Sequence, residues 1–306
     1  MLLLGHLPAH DIRKRLEHGG LHLHVGPYLY NLQSNLSLIA DGIETLYRDF
    51  PLADQGTFTD YSVAMKNNGL LSRLRGQVDF LFDHQNPFGA IPSGQAYAFM
   101  EWGMNWCVSI HANEYLKLHA AAVARDGTVI IMPGVPGAGK STLCAAMGLT
   151  GWRILSDEHA LIPPGTAEVV PLCRPVSLKN ESIPLIKSFS PNAVFGPVSE
   201  DTHKGVVAHM KADLEPDSHD SLALPARIML FPRYCKDEPQ RLSPRSRTQS
   251  FILAAYHSFN YSLLGEVGFQ AMKTLVDSVI CYDLVYRELD WALQTVGDLH
   301  DRTCAQ

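Results

Sequence analysis

Gly134-Val135-Pro136-Gly137-Ala138-Gly139-Lys140-Ser141-Thr142 is the segment whose residue types and spacing specify a chemistry most directly. Gly134, Gly139, Lys140 and Ser141 fit G-x-x-x-x-G-K-[ST], the pattern of a phosphate-binding loop. Gly134, Gly137 and Gly139 let the backbone turn so that successive N–H groups converge on an anion. A helix starting behind them adds the positive end of its dipole. Lys140 supplies a full charge for the outer phosphates, and the Ser141 hydroxyl can ligate Mg²⁺. Val135, Pro136, Ala138 and Thr142 complete the expected nucleotide contacts. Chance produces such a pattern in glycine-rich turns, so its setting matters. Here the apolar run 128–132 precedes it and helix-forming residues 143–147 follow, which predicts a site for ATP and Mg²⁺.

Asp157-Glu158 lies 17 residues beyond Lys140, after the short apolar stretch Arg153-Ile154-Leu155. In parallel α/β sheets the carboxyl ends of strands face the ligand crevice, which predicts that this pair lies near the phosphates. One carboxylate could activate a hydroxyl as general base while the other binds Mg²⁺. An isolated Asp-Glu pair is by default a solvated turn; its place after a phosphate loop is what argues for function. His119 sits on the segment that feeds the loop. A lone histidine on a strand is ordinarily structural, but this position, beside the loop and Asp157, makes it a candidate for tuning the base.

The surrounding elements must hold these groups together. Residues 116–124 alternate, Asp126-Gly127 supplies a two-residue hairpin turn, and 128–132 reads as the second strand. The order is hairpin, loop, helix, strand, acid pair. Upstream, 21–32 reads as a strand, 35–50 as a helix, 59–65 and 76–83 as strands around Asn67-Asn68-Gly69, and 95–112 as a Met- and Trp-rich helix. Downstream come Pro-rich connections from Pro163 to Pro197, a buried strand at 226–231, and a polar loop with Arg241, Arg245 and Arg247. A mostly helical stretch follows at 248–299, interrupted near Gly265 and Gly268. The fold class expected is α/β, with an N-terminal α+β region (1–112) for substrate or partner recognition and a phosphate-loop domain with C-terminal helices (113–306).

Composition narrows the class further. With 306 residues, 46% of them apolar and 18% charged, the chain is neither disordered nor fibrous. Its net charge of −6 argues against attraction to nucleic acid or an anionic membrane. No apolar run reaches the ~20 residues of a membrane span, and the charged cluster at Arg13-Lys14-Arg15 comes too early for a secretory signal. A cytoplasmic protein is expected. The six cysteines are scattered, with no C-x-x-C pair, so zinc-ribbon and disulfide frameworks are not supported. His22 and His24 read as one face of a strand rather than as metal ligands.

Leu118-His119-Ala120, the hairpin, the phosphate loop and Ile154-Leu155-Ser156-Asp157-Glu158 together resemble the bacterial HPr serine kinase family. That family has a Leu-His-Gly strand, a hairpin, a P-loop and an Ala-Asp-Asp acid pair in this order. The likeness is strong over about 115–165. More specifically the chain resembles HPr-kinase-related proteins of the "kinase A" type, found beside exosortase and peptide-modification systems. In these, as in lasso-peptide kinases, the stretch after the acids is similar to Arg174-Pro175-Val176-Ser177-Leu178-Lys179-Asn180.

The resemblance implies a phosphoenolpyruvate-carboxykinase-like P-loop core that phosphorylates a Ser/Thr-type hydroxyl of a peptide, protein or small molecule. Carried over residue by residue, His119 orients or tunes the base, Asp157 is that base, and Glu158 with Ser141 holds Mg²⁺. Arg174 and Lys179 would lie near phosphate or acceptor. HPr kinases are commonly hexameric, which makes a homo-oligomer an expectation too. Two departures stand out: Glu158 replaces the family's second Asp, and the glycine-rich signature beyond the acids is missing. Neither HPr as acceptor nor reverse phosphorolysis is therefore carried over. The competing reading is a P-loop switch or assembly ATPase without a hydroxyl acceptor. Such proteins carry a later apolar strand ending in Asp, whereas 226–231 runs into Pro232-Arg233.

Overall fold

The Gly26-Pro27 turn divides the stretch 21–32 into two strands where one was expected. They are β1 (Leu21–Val25) and β2 (Tyr28–Ser34), paired antiparallel. They belong to a computed structural model that describes residues 2–214 and 222–305. Around them the chain forms α1 (Ala9–Glu17), α2 (Ser37–Leu46), β3 (Tyr61–Lys66), α3 (Leu70–Leu74), β4 (Gln77–Phe82), β5 (Ala90–Pro92) and α4 (Ala96–His111). The sheet order is β1-β2-β3-β4-β5. Only β2 and β3 run parallel, because α2 supplies the crossover that a parallel pair requires. The short helix α3 was not expected between β3 and β4. Buried Glu101 of α4 accepts the hydroxyls of Tyr47 (2.9 Å) and Tyr97 (2.7 Å), so its carboxylate is satisfied inside the core.

The next elements are β6 (Leu116–Arg125), β7 (Thr128–Pro133), α5 (Lys140–Leu149), β8 (Arg153–Ser156), β9 (His159–Ile162) and β10 (Glu168–Val169). The Pro-rich stretch then carries regular structure of its own: β11 (Val176–Lys179), α6 (Ser182–Phe189), β12 (Ser199–Thr202) and β13 (Gly205–Met210). These strands form a separate sheet ordered β11-β13-β12. Last come β14 (Leu224–Tyr234), β15 (Arg241–Pro244), α7 (Arg247–Tyr256), α8 (Tyr261–Leu264), α9 (Glu266–Ser278), β16 (Ile280–Tyr286) and α10 (Leu289–Cys304).

Two compact units result. One is Met1–Val108 with Pro175–Leu214, the other Ser109–Arg174 with Glu215–Gln306. The division expected at residue 112 therefore differs in two respects: the first boundary falls after Val108, and 175–214 joins the N-terminal unit. Lys211 pairs there with Asp49, and Gln95 Nε2 donates to Asp201 O at 2.7 Å. The Tyr97 ring meets that of His209 edge-on at 5.7 Å.

The second unit is built on a mixed sheet ordered β15-β16-β14-β7-β6-β8, with β9 on β6 and β10 on β14. β7 is parallel to β14 and antiparallel to β6, and β8 is antiparallel to β6. It follows that β7, β8, β14 and β16 all end at one edge of the sheet. Register brings the ends close: Ala120 faces Pro133, and two residues along the same strand Ala122 faces Ser156. The hairpin, loop, helix and acid strand thus stand in the expected order. Two expectations downstream need correction. Arg241 begins a strand instead of lying in a loop, and the helical stretch 248–299 contains β16. Among the described residues, no helix is long and apolar enough to cross a membrane.

Candidate functional site

β7 ends at Pro133, α5 starts at Lys140, and the six residues between them form the loop. Gly137 and Gly139 sit at φ +85° and +91°, the left-handed region that side chains disfavour. Gly139 is required for space as well, since a Cβ there would come within 2.3 Å of Tyr286 Oη. That hydroxyl donates to Gly139 O at 3.0 Å, and Tyr234 N–H donates to Ala138 O at 3.0 Å. Burial pushes the Tyr286 phenol up, which keeps it a donor. The ends of β14 and β16 therefore hold the loop. Lys140 Nζ donates to Gly134 O (2.6 Å) and Val135 O (3.1 Å), arching back over the loop's start. The start of α5 directs the positive end of its dipole at the loop, and Leu143 N–H donates to Gly139 O at 3.0 Å.

The acid pair sits in a turn between β8 and β9. Ser156 Oγ accepts the N–H groups of Glu158 (3.2 Å) and His159 (2.9 Å), which re-aims the chain at that point. The two carboxylates diverge. Asp157 is buried on the α5 side, where burial and then its charge push the Cys144 thiol up. Ser141 and Cys144 are three residues apart on α5 and share a face. Glu158 turns to β6 instead. The imidazole expected beside Asp157 has Glu158 Oε1 3.6 Å from its Nε2, making His119 and Glu158 the acid–imidazole pair.

Behind them lies His159, which the sequence reading did not single out. It is 1% exposed, stacks on Phe259 at 4.6 Å, and places Nε2 2.7 Å from Ser109 Oγ. Burial holds its pKa down at about 3, with Glu158 opposing and Arg174, His119 and Lys117 reinforcing the shift. The ring is thus neutral in the folded protein at every ordinary pH. An unfolded histidine takes up a proton below about pH 6.5. His159 should therefore make stability fall by about 1.4 kcal/mol per pH unit as the pH drops from 6.5 towards 3. Comparing denaturant unfolding of wild type and His159→Gln at pH 7 and pH 5 tests this. The variant should lose that share of the pH slope, and an unchanged slope would refute the assignment. Buried Lys117, its pKa lowered to about 8 by the same burial, donates to Ser109 O at 2.8 Å.

Arg174 is buried in this unit, close enough for its charge to act on His159. Lys179 belongs to the other unit, on β11, where its N–H donates to Ser182 Oγ at 2.8 Å. Residues that pattern reading missed are Tyr234 and Tyr286 at the loop, His159 behind the acids, and His257. The carbonyl of His257 accepts the His119 N–H at 2.7 Å. His159 alone had a usable signal, as the fourth polar residue of a run entering an otherwise apolar strand.

The loop combines two left-handed glycines, a helix start and one lysine, the residue types a polyphosphate would need. A Mg²⁺ ion would draw on Ser141, one carboxylate and phosphate oxygens, the donor set this small cation favours with nucleotides. Among the described residues, no group of three or more His, Cys, Asp or Glu forms a metal site by itself. Comparison of the chain with family models and with curated proteins finds no match.

Proposed function

We propose that the protein is an ATP-dependent kinase of a Ser/Thr-type hydroxyl, built on a P-loop core of the HPr-kinase type. The observation that carries this reading is one sheet edge that combines the lysine-bearing glycine loop with the His119–Glu158 pair at 3.6 Å. Phosphoryl transfer needs positioning and charge neutralisation far more than covalent help from the protein. The loop and Lys140 would cradle the phosphates, with Ser141 and Asp157 toward Mg²⁺, whose charge offsets that developing on the transferred group. Glu158, oriented by His119, would take the hydroxyl proton. The sequence reading placed the base on Asp157 and the metal on Glu158; the divergence of the two side chains favours the exchange of those roles. An ATPase without an acceptor gains no support from β14. This parallel neighbour of β7 ends in Pro232-Arg233-Tyr234, where such proteins place a carboxylate.

Incubation with γ-labelled ATP, Mg²⁺ and cell lysate, followed by mass spectrometry, should reveal acid-stable phosphoryl esters on Ser, Thr or small-molecule hydroxyls. Label released only as inorganic phosphate would favour the ATPase. His119→Ala probes the pair directly. A protonated ring beside Glu158 favours the ionised carboxylate, so its removal should lower turnover and move the acidic limb of the pH–rate profile to higher pH. ATP affinity should stay unchanged. Normal rates with an unchanged profile would leave His119 a structural residue.

A further inference from the structure

The loop has a second flank, on the side of β14 and β16. There the ends of β14 and β16 and the helix α7 enclose a cavity of about 440 Å³, with Gly134, Val135 and Ala138 forming one wall. That volume suits a small molecule. Arg233, Arg241 and Arg245 line it against a single lining carboxylate, Asp283. Outside the lining, Glu238 serves both Arg233 and Arg241, so one negative charge answers two positive ones. Arg245 pairs with Asp283 and lies over Phe231, 4.9 Å from the ring centroid. Its Nε–H is buried, with no hydrogen-bond acceptor among the described residues. The cavity is therefore electropositive.

Its position relates it to the outer end of a bound nucleotide. The wall is made by Gly134 and Val135, whose carbonyls hold Lys140 Nζ, and in such loops the lysine reaches the β- and γ-phosphates. His257 closes the same end: burial and the nearby Lys140 charge lower its pKa, and its carbonyl binds the His119 strand. The cavity thus runs from the start of the loop, whose carbonyls hold the lysine, and from His257 outward to the arginines. A neutral nucleoside gives three arginines little to bind, whereas an anionic acceptor gives them a partner.

We propose that this cavity is the acceptor compartment, and that the acceptor is a small hydroxy compound carrying its own phosphate or carboxylate, received by Arg245 and Arg241. The inference rests on the kinase reading above. In the transfer, the acceptor hydroxyl oxygen bonds to the γ-phosphorus as the bond to the β,γ-bridging oxygen breaks. The hydroxyl proton passes to Glu158, and ADP leaves.

The test fills the loop of the full chain with the ATP analogue AMP-PNP and Mg²⁺. Inorganic phosphate, 3-phosphoglycerate or glycerol is then titrated in by calorimetry. At least one of the two anions should bind and glycerol should not; phosphate alone would mark a bare anion site, 3-phosphoglycerate a site for the hydroxy anion. Arg245→Gln and Arg241→Gln should each weaken that binding about tenfold or more, with AMP-PNP affinity unchanged. Arg241 is half exposed, so its variant keeps the test valid if Arg245→Gln fails to fold. The assignment is overturned if neither anion binds the loaded protein, or if the arginine variants weaken AMP-PNP instead, which would give the cavity to the nucleoside. Failure of the wild type to bind AMP-PNP at all would strike the P-loop reading itself, and the acceptor assignment with it.

Discussion

Lys140→Ala should lower the affinity for ATP–Mg²⁺ about 10²-fold or more and remove turnover. Hydrogen bonds between a charged donor and phosphate oxygens contribute about 1.5–3 kcal/mol each, and 1.4 kcal/mol is a factor of ten in binding. With no ligand bound, the ammonium group caps two carbonyls of its own loop, those of Gly134 and Val135. Truncation leaves both without that donor. Gly134 is buried while Val135 is half exposed, so the stability cost should stay near 1–3 kcal/mol, borne mainly by the Gly134 carbonyl. Calorimetry with ATP and thermal unfolding of the same variant separate the two effects. Lys140→Arg keeps the charge but replaces a compact ammonium with a wide planar fork. It should recover stability more fully than binding. Unchanged ATP affinity in the alanine variant would refute the nucleotide site.

The parts of the molecule legible in the sequence were those whose signals are local. Asp126-Gly127 marks the hairpin by its turn chemistry, and the loop marks itself because backbone approach to an anion demands glycine at set positions. β16 was hidden for the opposite reason. No glycine or proline separates it from α9, and Ile280 to Tyr286 owe their extended form to parallel pairing with Ile228 to Tyr234, about fifty residues upstream. Tyr286 and Tyr234 hold the loop only because those two strands end beside it, so no window around Gly139 could have named them. The Pro-rich stretch reads as connection because proline breaks ladders, yet β11 forms between Pro175 and Pro184 by pairing with β13, beyond Pro197. The orientation of the acids was likewise invisible. Two adjacent carboxylates cannot be told apart until Ser156 caps the turn and sends one toward α5 and the other toward His119.

That divergence gives the second large effect. Glu158→Gln keeps the shape and a polar atom against His119 but removes the proton acceptor. It should cut acceptor phosphorylation by ~10²–10⁴, the range of a positioned general base, with nucleotide binding nearly intact. Asp157→Asn acts on the other side. It removes the charge nearest the Ser141–Cys144 face of α5, so the concentration of Mg²⁺ needed for half-maximal activity should rise, and excess Mg²⁺ should restore part of the rate. Losing that charge should also let the Cys144 thiol ionise more readily, since the carboxylate is one cause of its raised pKa. Kinetics across a Mg²⁺ series distinguish the two: Glu158→Gln should not respond to added metal. If the phenotypes are exchanged, with Asp157→Asn insensitive to Mg²⁺ and Glu158→Gln rescued by it, then Asp157 is the base. The His119 pairing would then position a metal ligand instead. If neither variant changes turnover, the pair is a solvated turn, and the kinase reading loses the groups it assigns to the acceptor's proton.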